Sequence, residues 1–280
     1  MSADGQAQRP IGIFDSGLGG LTVVQAIRRD LPSEHVTYLG DTARVPYGTR
    51  SPDTVVRYAR ACARALTRRQ IKALVVACNT VSAVALDLLS AELDVPVMGV
   101  IEPGAVAAVQ AAEELGCERI GVLGTASTIS SGAYPAAVAR LSTRIEVICE
   151  PAPLLVPLAE EGWTDGQVPE LAAERYLRPL VDANARVIVL GCTHYPLLHD
   201  VIESVARRLA GREITIVDSA KATATSLGGL LSAKGLAQSE PGPGSAELTV
   251  TDVPKSFAAV AGRFLGAEVP KVRQIDLTTA

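Results

Sequence analysis

Short apolar runs alternate with longer stretches of helical periodicity along nearly the whole 280-residue chain. Ile11 to Phe14, Val36 to Leu39, Ala73 to Ala77, Val97 to Val100 and Ile120 to Leu123 read as strands. So do Ile145 to Cys149, Val187 to Leu190, Ile214 to Val217, Glu247 to Thr251 and Val272 to Leu277. Between them, segments such as Ser51 to Gln70 and Val81 to Glu92 carry apolar residues at helical spacing, with charges at the other positions. Strand followed by helix, repeated, predicts an α/β fold of parallel, doubly wound sheets. Ligands of such sheets gather beyond the carboxyl ends of the strands, so the residues just after each apolar run deserve the closest inspection.

Those positions carry an internal repeat. IGIFDSG at Ile11 is echoed by IGVLGTA at Ile120, and LVVACNT at Leu74 by VIVLGCTH at Val187. The echoes keep their order and lie 109 and 113 residues apart, with Cys78 and Cys192 separated by 114. This predicts two pseudo-symmetric α/β halves, against the simpler explanation that Val, Ile and Gly dominate all parallel strands. A crossing within Pro96 to Gly104 and a return within Ala210 to Glu213 divide the chain into residues 1–98 plus 212–280 and residues 99–211. Ser239 to Ser245, SEPGPGS, reads as a loop inside the first half.

Composition narrows the function. Apolar residues make up 48% and charged residues 20%, mean hydropathy is +0.26 and net charge is −4. These values fit a globular chain that has no apolar run of the roughly 18 residues needed for a spanning helix. Aromatics at 4% and the acidic balance speak against base-stacking platforms, a nucleic-acid partner and an anionic membrane surface. The opening MSADGQAQRPIGIF lacks the basic-then-apolar pattern of a secretory signal, so the expected location is the cytoplasm. Five scattered cysteines with no two-residue spacing rule out a disulfide scaffold as the main theme.

Two cysteines have a setting for chemistry. Cys78 stands where a strand ends and a helical pattern begins, at the positive end of the helix macrodipole, which favours thiolate. Cys192 stands in the same sequence context beside Thr193 and His194. Either alone fits a buried packing thiol; two in matched contexts suit inversion of a stereocentre beside a carboxylate, where opposed acid/base groups remove a proton from one face and return one to the other. Ser16, Asn79, Thr80 and Thr193 are candidate donors for the charge that develops. Cys62, Cys117 and Cys149 lack such a context and are read as packing residues.

Asp15 and Ser16 open a glycine-rich turn, IFDSGLGG, whose glycines allow a ligand close to the backbone at a helix amino end. A rival reading is a dinucleotide fingerprint ending at Asp41, although Thr22 stands where its third glycine belongs. GDTARVPYG, containing Tyr47 and Gly48, is a polar loop after the second strand. His194 and Cys192 have metal-ligand spacing, but no further cluster completes a site, so no metal is expected. His35 and His199 are read as surface residues.

FDSGLGGLTV at Phe14 to Val23, GDTARVPYG at Gly40 to Gly48, ACNTVSA at Ala77 to Ala83 and GCTHYPLL at Gly191 to Leu198 together resemble the glutamate racemase family, with IEPG at Ile101 and LVPLAEEG at Leu155 to Gly162 filling the middle. The resemblance implies a cofactor-independent isomerase that interconverts L- and D-glutamate and supplies D-glutamate for peptidoglycan, with the active site between two α/β domains. By motif position it assigns Cys78 to the α-proton of D-glutamate and Cys192 to that of L-glutamate. Asp15 would assist Cys78; His194 and Glu160 would assist Cys192, with Glu161 next door as an alternative to Glu160. Asp15, Ser16, Tyr47, Gly48, Asn79, Thr80, Thr193 and His194 would hold the amino acid. The one departure within the motifs is Val81, where many relatives carry alanine. Two other readings stay open: a racemase of another acidic amino acid such as aspartate, and a non-catalytic binding module. The resemblance also raises a homodimer and, for some relatives, an interaction with DNA gyrase; the sequence has no feature that decides either.

Overall fold

The computed structural model describes residues 3–240, 242–253, 257–266 and 271–277. In chain order the elements are α1 (Ala3–Ala7), β1 (Ile11–Asp15), α2 (Leu21–Asp30), β2 (Val36–Gly40), α3 (Pro52–Thr67), β3 (Ala73–Val76), α4 (Asn79–Glu92), β4 (Val97–Gly99) and α5 (Ile101–Glu114). They continue with β5 (Arg119–Gly124), α6 (Ala126–Ser130), α7 (Ala133–Leu141), β6 (Glu146–Pro151), α8 (Leu155–Glu161), α9 (Gln167–Asp182), β7 (Val187–Gly191) and α10 (His199–Ala210). Last come β8 (Thr215–Asp218), α11 (Ser219–Ala233), β9 (Ala246–Val250), α12 (Phe257–Leu265) and β10 (Val272–Gln274). Every expected strand is present, with its ends moved by a few residues at most. Among the described residues no helix is long and apolar enough to cross a membrane.

The chain divides into two units, Met1–Val100 with Thr223–Ala280, and Ile101–Ala222. The first holds a sheet in the order β10-β9-β2-β1-β3-β4, and the second a sheet in the order β6-β5-β7-β8. All pairings are parallel. β1, β2, β3 and β7 are buried along their whole length, as strands covered by helices on both faces must be, which is why they read as unbroken apolar runs.

The repeat in the sequence has a counterpart in topology. β2-β1-β3-β4 and β6-β5-β7-β8 run in the same order, and β9 and β10 extend the first sheet at its β2 edge. In each four-strand set the first and third strands are neighbours, so chain order reverses between them. That reversal makes the ends of β1 and β3, and of β5 and β7, the natural crevices for a ligand.

The return crossing lies later than residue 212. Thr215–Asp218 pairs with β7 from Val187↔Thr215 to Leu190↔Asp218, so β8 belongs to the second unit and the chain crosses after Ala222. Gly211, inside the stretch read as the return, instead ends α10 at φ 61°, a left-handed conformation that glycine adopts without a Cβ penalty. At the amino end of the first sheet, Lys72 and Glu34 form a buried ion pair. Lys72 Nζ also donates to the Ala7 carbonyl at 2.6 Å, and Glu34 Oε1 accepts the Gln238 N–H at 2.8 Å. The pair therefore ties α1 and the segment after α11 to the amino end of this sheet, opposite the end that bears Cys78.

Candidate active site

In the first unit Cys78 follows β3 directly and is the N-cap residue of α4, with extended backbone at φ −72°, ψ 121°. Its carbonyl accepts the Ser82 N–H at 2.8 Å, so the sulfur sits at the positive end of a fourteen-residue helix. Ser82 secures that helix from behind: Oγ donates to the Val76 carbonyl at 2.9 Å and accepts the Val100 N–H at 3.3 Å. Cys78 is almost wholly buried, and its Sγ donates to Ser16 Oγ at 3.4 Å. Asn79 and Thr80, the first two residues of α4, are buried beside it.

Ser16 belongs to the turn after the neighbouring strand β1. Asp15 is fully buried, and its Oδ2 accepts the Gly17 N–H at 2.9 Å. The Gly17 carbonyl in turn accepts the Tyr38 hydroxyl at 2.8 Å. Burial, followed by the nearby Asp15 and Cys78 charges, pushes Tyr38 well above its ordinary range, so it remains a neutral donor. The structure thus brings Asp15, Ser16 and Cys78 together, with Tyr38 fixing the turn from below.

The glycines of this turn serve the protein's own packing. A Cβ on Gly20 would lie 2.5 Å from Asp15 Cβ and 3.0 Å from Ala77 Cβ. The amino end of α2 is also spoken for: the N–H groups of Leu21, Thr22, Val23 and Val24 bond to the carbonyls of Leu18, Gly19, Gly20 and Gly20. Those donors cannot cradle a pyrophosphate. Asp41, the acidic end of the rival fingerprint, is buried and accepts from Arg44 Nε at 2.6 Å, from Thr251 Oγ1 at 2.9 Å and from the Tyr47 hydroxyl. The dinucleotide reading is therefore set aside.

Tyr47 is buried with its phenol on Asp41, which holds the loop and leaves half-buried Gly48 just after it. Burial, with the charges of Cys62 and Asp41, drives the Tyr47 phenol far above its usual range. Cys62 lies in the core of α3 with Arg44 Nη2 3.8 Å from its sulfur, whereas Cys117 and Cys149 are only partly buried. Burial nevertheless pushes the Cys149 thiol up to about 11.

In the second unit Cys192 follows β7, but its setting differs from that of Cys78. Thr193 and His194 form a turn, Tyr195–Leu198 a 3-10 helix, and α10 starts only at His199. Pro196 lacks an N–H and suits the first turn of that short helix. In place of a helix terminus, Cys192 has a charged neighbour. Its Sγ lies 3.7 Å from His194 Nδ1, and His194 Nε2 lies 3.0 Å from Glu160 Oε1 on α8. Thr193 Oγ1 is 3.5 Å from Nδ1. It is Glu160, and not Glu161, that reaches the imidazole.

Burial by itself would strip His194 of its proton. The hydrogen bonds to Cys192 and Glu160, with the charges of both, outweigh it and raise His194 to about 10. Glu160 responds in the other direction: its hydrogen bond with His194 holds it below the ordinary carboxylate range against the effect of desolvation. Among the described residues no three His, Cys, Asp or Glu side chains are grouped to hold a metal ion. Thr125, which the sequence reading did not single out, follows β5 where Ser16 follows β1, and it caps α6 by accepting the Thr128 N–H at 3.3 Å. The signal was present in IGVLGTA, whose Gly-Thr replaces the Asp-Ser of the first half.

The sequence pattern of the Asp/Glu/hydantoin racemase family matches residues 20–227, about three quarters of the chain. The chain belongs to this racemase family. A glutamate racemase of Geobacter metallireducens is 49% identical over 269 residues, covering 96% of this chain and 97% of that protein. Among solved structures, the glutamate racemase of Francisella tularensis in complex with D-glutamate is 34% identical at a TM-score of 0.89, covering 98% of this chain and 100% of that one. The glutamate racemase of Thermus thermophilus in complex with β-chloro-D-alanine is 42% identical at a TM-score of 0.85, covering 98% and 99%. Within the family, then, full-length likeness runs to glutamate racemases. In this racemase-family chain the two cysteine sites differ in their supports: a helix terminus and a serine for one, an imidazole–carboxylate pair for the other.

Proposed function

We propose that the protein racemises glutamate by two-base proton transfer, with Cys78 acting on D-glutamate and Cys192 on L-glutamate. The observation that carries this reading is the pair of strand-end cysteines, each with a polar partner at its sulfur, in a chain whose full-length relatives are glutamate racemases. In the L-to-D direction the Cys192 thiolate takes the α-proton and the Cys78 thiol gives its proton to the opposite face of the carbanion. Atoms balance within the turnover: one C–H bond breaks, another forms, and the two sulfurs exchange protonation states. Ser16, Asn79, Thr80 and Thr193, with the Tyr47–Gly48 loop, supply donors for the carboxylate charge that grows as the proton leaves. Asp15 supports the Cys78 side, and His194 with Glu160 the Cys192 side.

The substrate's own carboxylate takes up the charge left by the α-proton, and proton transfer to and from carbon changes no oxidation state, so we assign no cofactor. Such a reaction fits the cytoplasm, where it supplies D-glutamate for peptidoglycan. Purified protein incubated with L-glutamate, without pyridoxal phosphate, metal or nucleotide, is expected to abolish optical rotation while leaving L-aspartate unchanged. Inversion of aspartate but not glutamate, or strict dependence on an added cofactor, would overturn the proposal.

A further inference from the structure

The Glu160 carboxylate lies against the far nitrogen of His194, and Glu160 stands near the end of a short helix. α8 has seven residues, of which Leu155 and Ala159 form the buried face, and the Glu160 side chain is 47% exposed. The turn just before α8 is fixed by a side chain from the Cys192 segment itself. Tyr195 is fully buried, and its hydroxyl donates to the Ala152 carbonyl at 2.8 Å. The same carbonyl accepts the Leu155 N–H at 3.2 Å, at the first residue of α8, and the Ala152 N–H donates to the Gly124 carbonyl at the end of β5 at 2.8 Å. Tyr195 also closes its own turn, donating its N–H to the Cys192 carbonyl at 3.2 Å. One residue thus joins the backbone of Cys192 to the start of the helix that carries Glu160.

We infer that Tyr195 is a positioning residue, setting α8 so that Glu160 holds the His194 ring in register with Cys192. The inference deepens the reading of Cys192 as an acid/base group and rests on it for its kinetic consequences. A structural role alone would make Tyr195 matter for stability; a positioning role makes it act through Glu160.

The test uses Tyr195→Phe, which keeps the ring in the core and leaves the Ala152 carbonyl its bond from Leu155, together with Glu160→Gln and the double variant. The chain has only three histidines, so NMR can follow the ring titration of His194, with signals assigned by His35→Gln and His199→Gln. Cys192 and Glu160 are the titratable groups that face this ring. In Tyr195→Phe the His194 midpoint should fall from about 10 toward its ordinary 6.5, and in the double variant it should fall no further than in Glu160→Gln alone. With glutamate, kcat should drop by about tenfold at nearly constant KM. The isotope effect from 2-deutero-L-glutamate should rise, while that from 2-deutero-D-glutamate should not. An unchanged His194 titration in Tyr195→Phe, or additive falls in the double variant, would overturn the inference. The titration needs no substrate, so it decides the role of Tyr195 even if the wild-type protein leaves glutamate untouched, a result that would count against the proposed function instead.

Discussion

A histidine closed off from water ordinarily gives up its proton, and His194 keeps its own because acceptors stand at both ring nitrogens: the Cys192 sulfur at one and the Glu160 carboxylate at the other. That proton is a stability statement with a definite sign. His194 binds it more tightly in the folded chain, at about 10, than at the ordinary 6.5 of an unfolded chain. Its contribution to stability is therefore complete below about pH 6.5 and is lost as pH rises through about 10. Glu160→Gln replaces a charged acceptor with a neutral amide oxygen and lowers the folded value, so the thermal midpoint of the wild type should fall more steeply across this alkaline window than that of the variant. Parallel curves would show that Glu160 does not hold the proton. Motif resemblance put Glu160 ahead of Glu161 beside His194, but the retained proton was not legible, since it depends on the 3.0 Å contact that the helical phase of α8 gives Glu160.

At the scale of elements, apolar runs were enough to place the ten strands, most plainly β1, β2, β3 and β7, which are buried along their whole length. Turns were read less well, because glycine signals freedom without saying what uses it. In the Asp15 turn Gly20 has ordinary helical backbone at φ −61°, and it is the missing Cβ that lets α2 begin in contact with Asp15 and Ala77, a packing role that looks in sequence like a ligand cradle. Gly20→Ala should therefore destabilise the fold by about 1–3 kcal/mol and lower kcat by displacing Asp15. Gly229→Ala in α11, where an added Cβ meets nothing within 4 Å, should instead be neutral or stabilising by up to about 1 kcal/mol. Chemical melts and steady-state rates on the pair check this, and equal effects would refute the packing argument. The repeat likewise made Cys78 and Cys192 equivalent, whereas only Cys78 caps an α-helix, because the segment after Cys192 spends two residues in a turn and four in a 3-10 helix first.

For the whole molecule, duplication was legible because strand-end landmarks recur, and the two sheets share their four-strand order. The return crossing was not, since pairing of β8 with β7 is a long-range choice that the chain near Gly211 does not advertise. The buried Lys72–Glu34 pair was equally invisible, its partners standing on separate strand approaches. In the proposed reaction two different thiols serve the two enantiomers. The decisive measurement is α-proton exchange in deuterated water, followed separately on L- and D-glutamate with wild type, Cys78→Ser and Cys192→Ser. The wild type should label both enantiomers without added cofactor. Both variants should lose racemisation, with residual exchange favouring L-glutamate in Cys78→Ser and D-glutamate in Cys192→Ser. Full racemisation by either variant, or the same enantiomer preference in both, would contradict the two-thiol reaction.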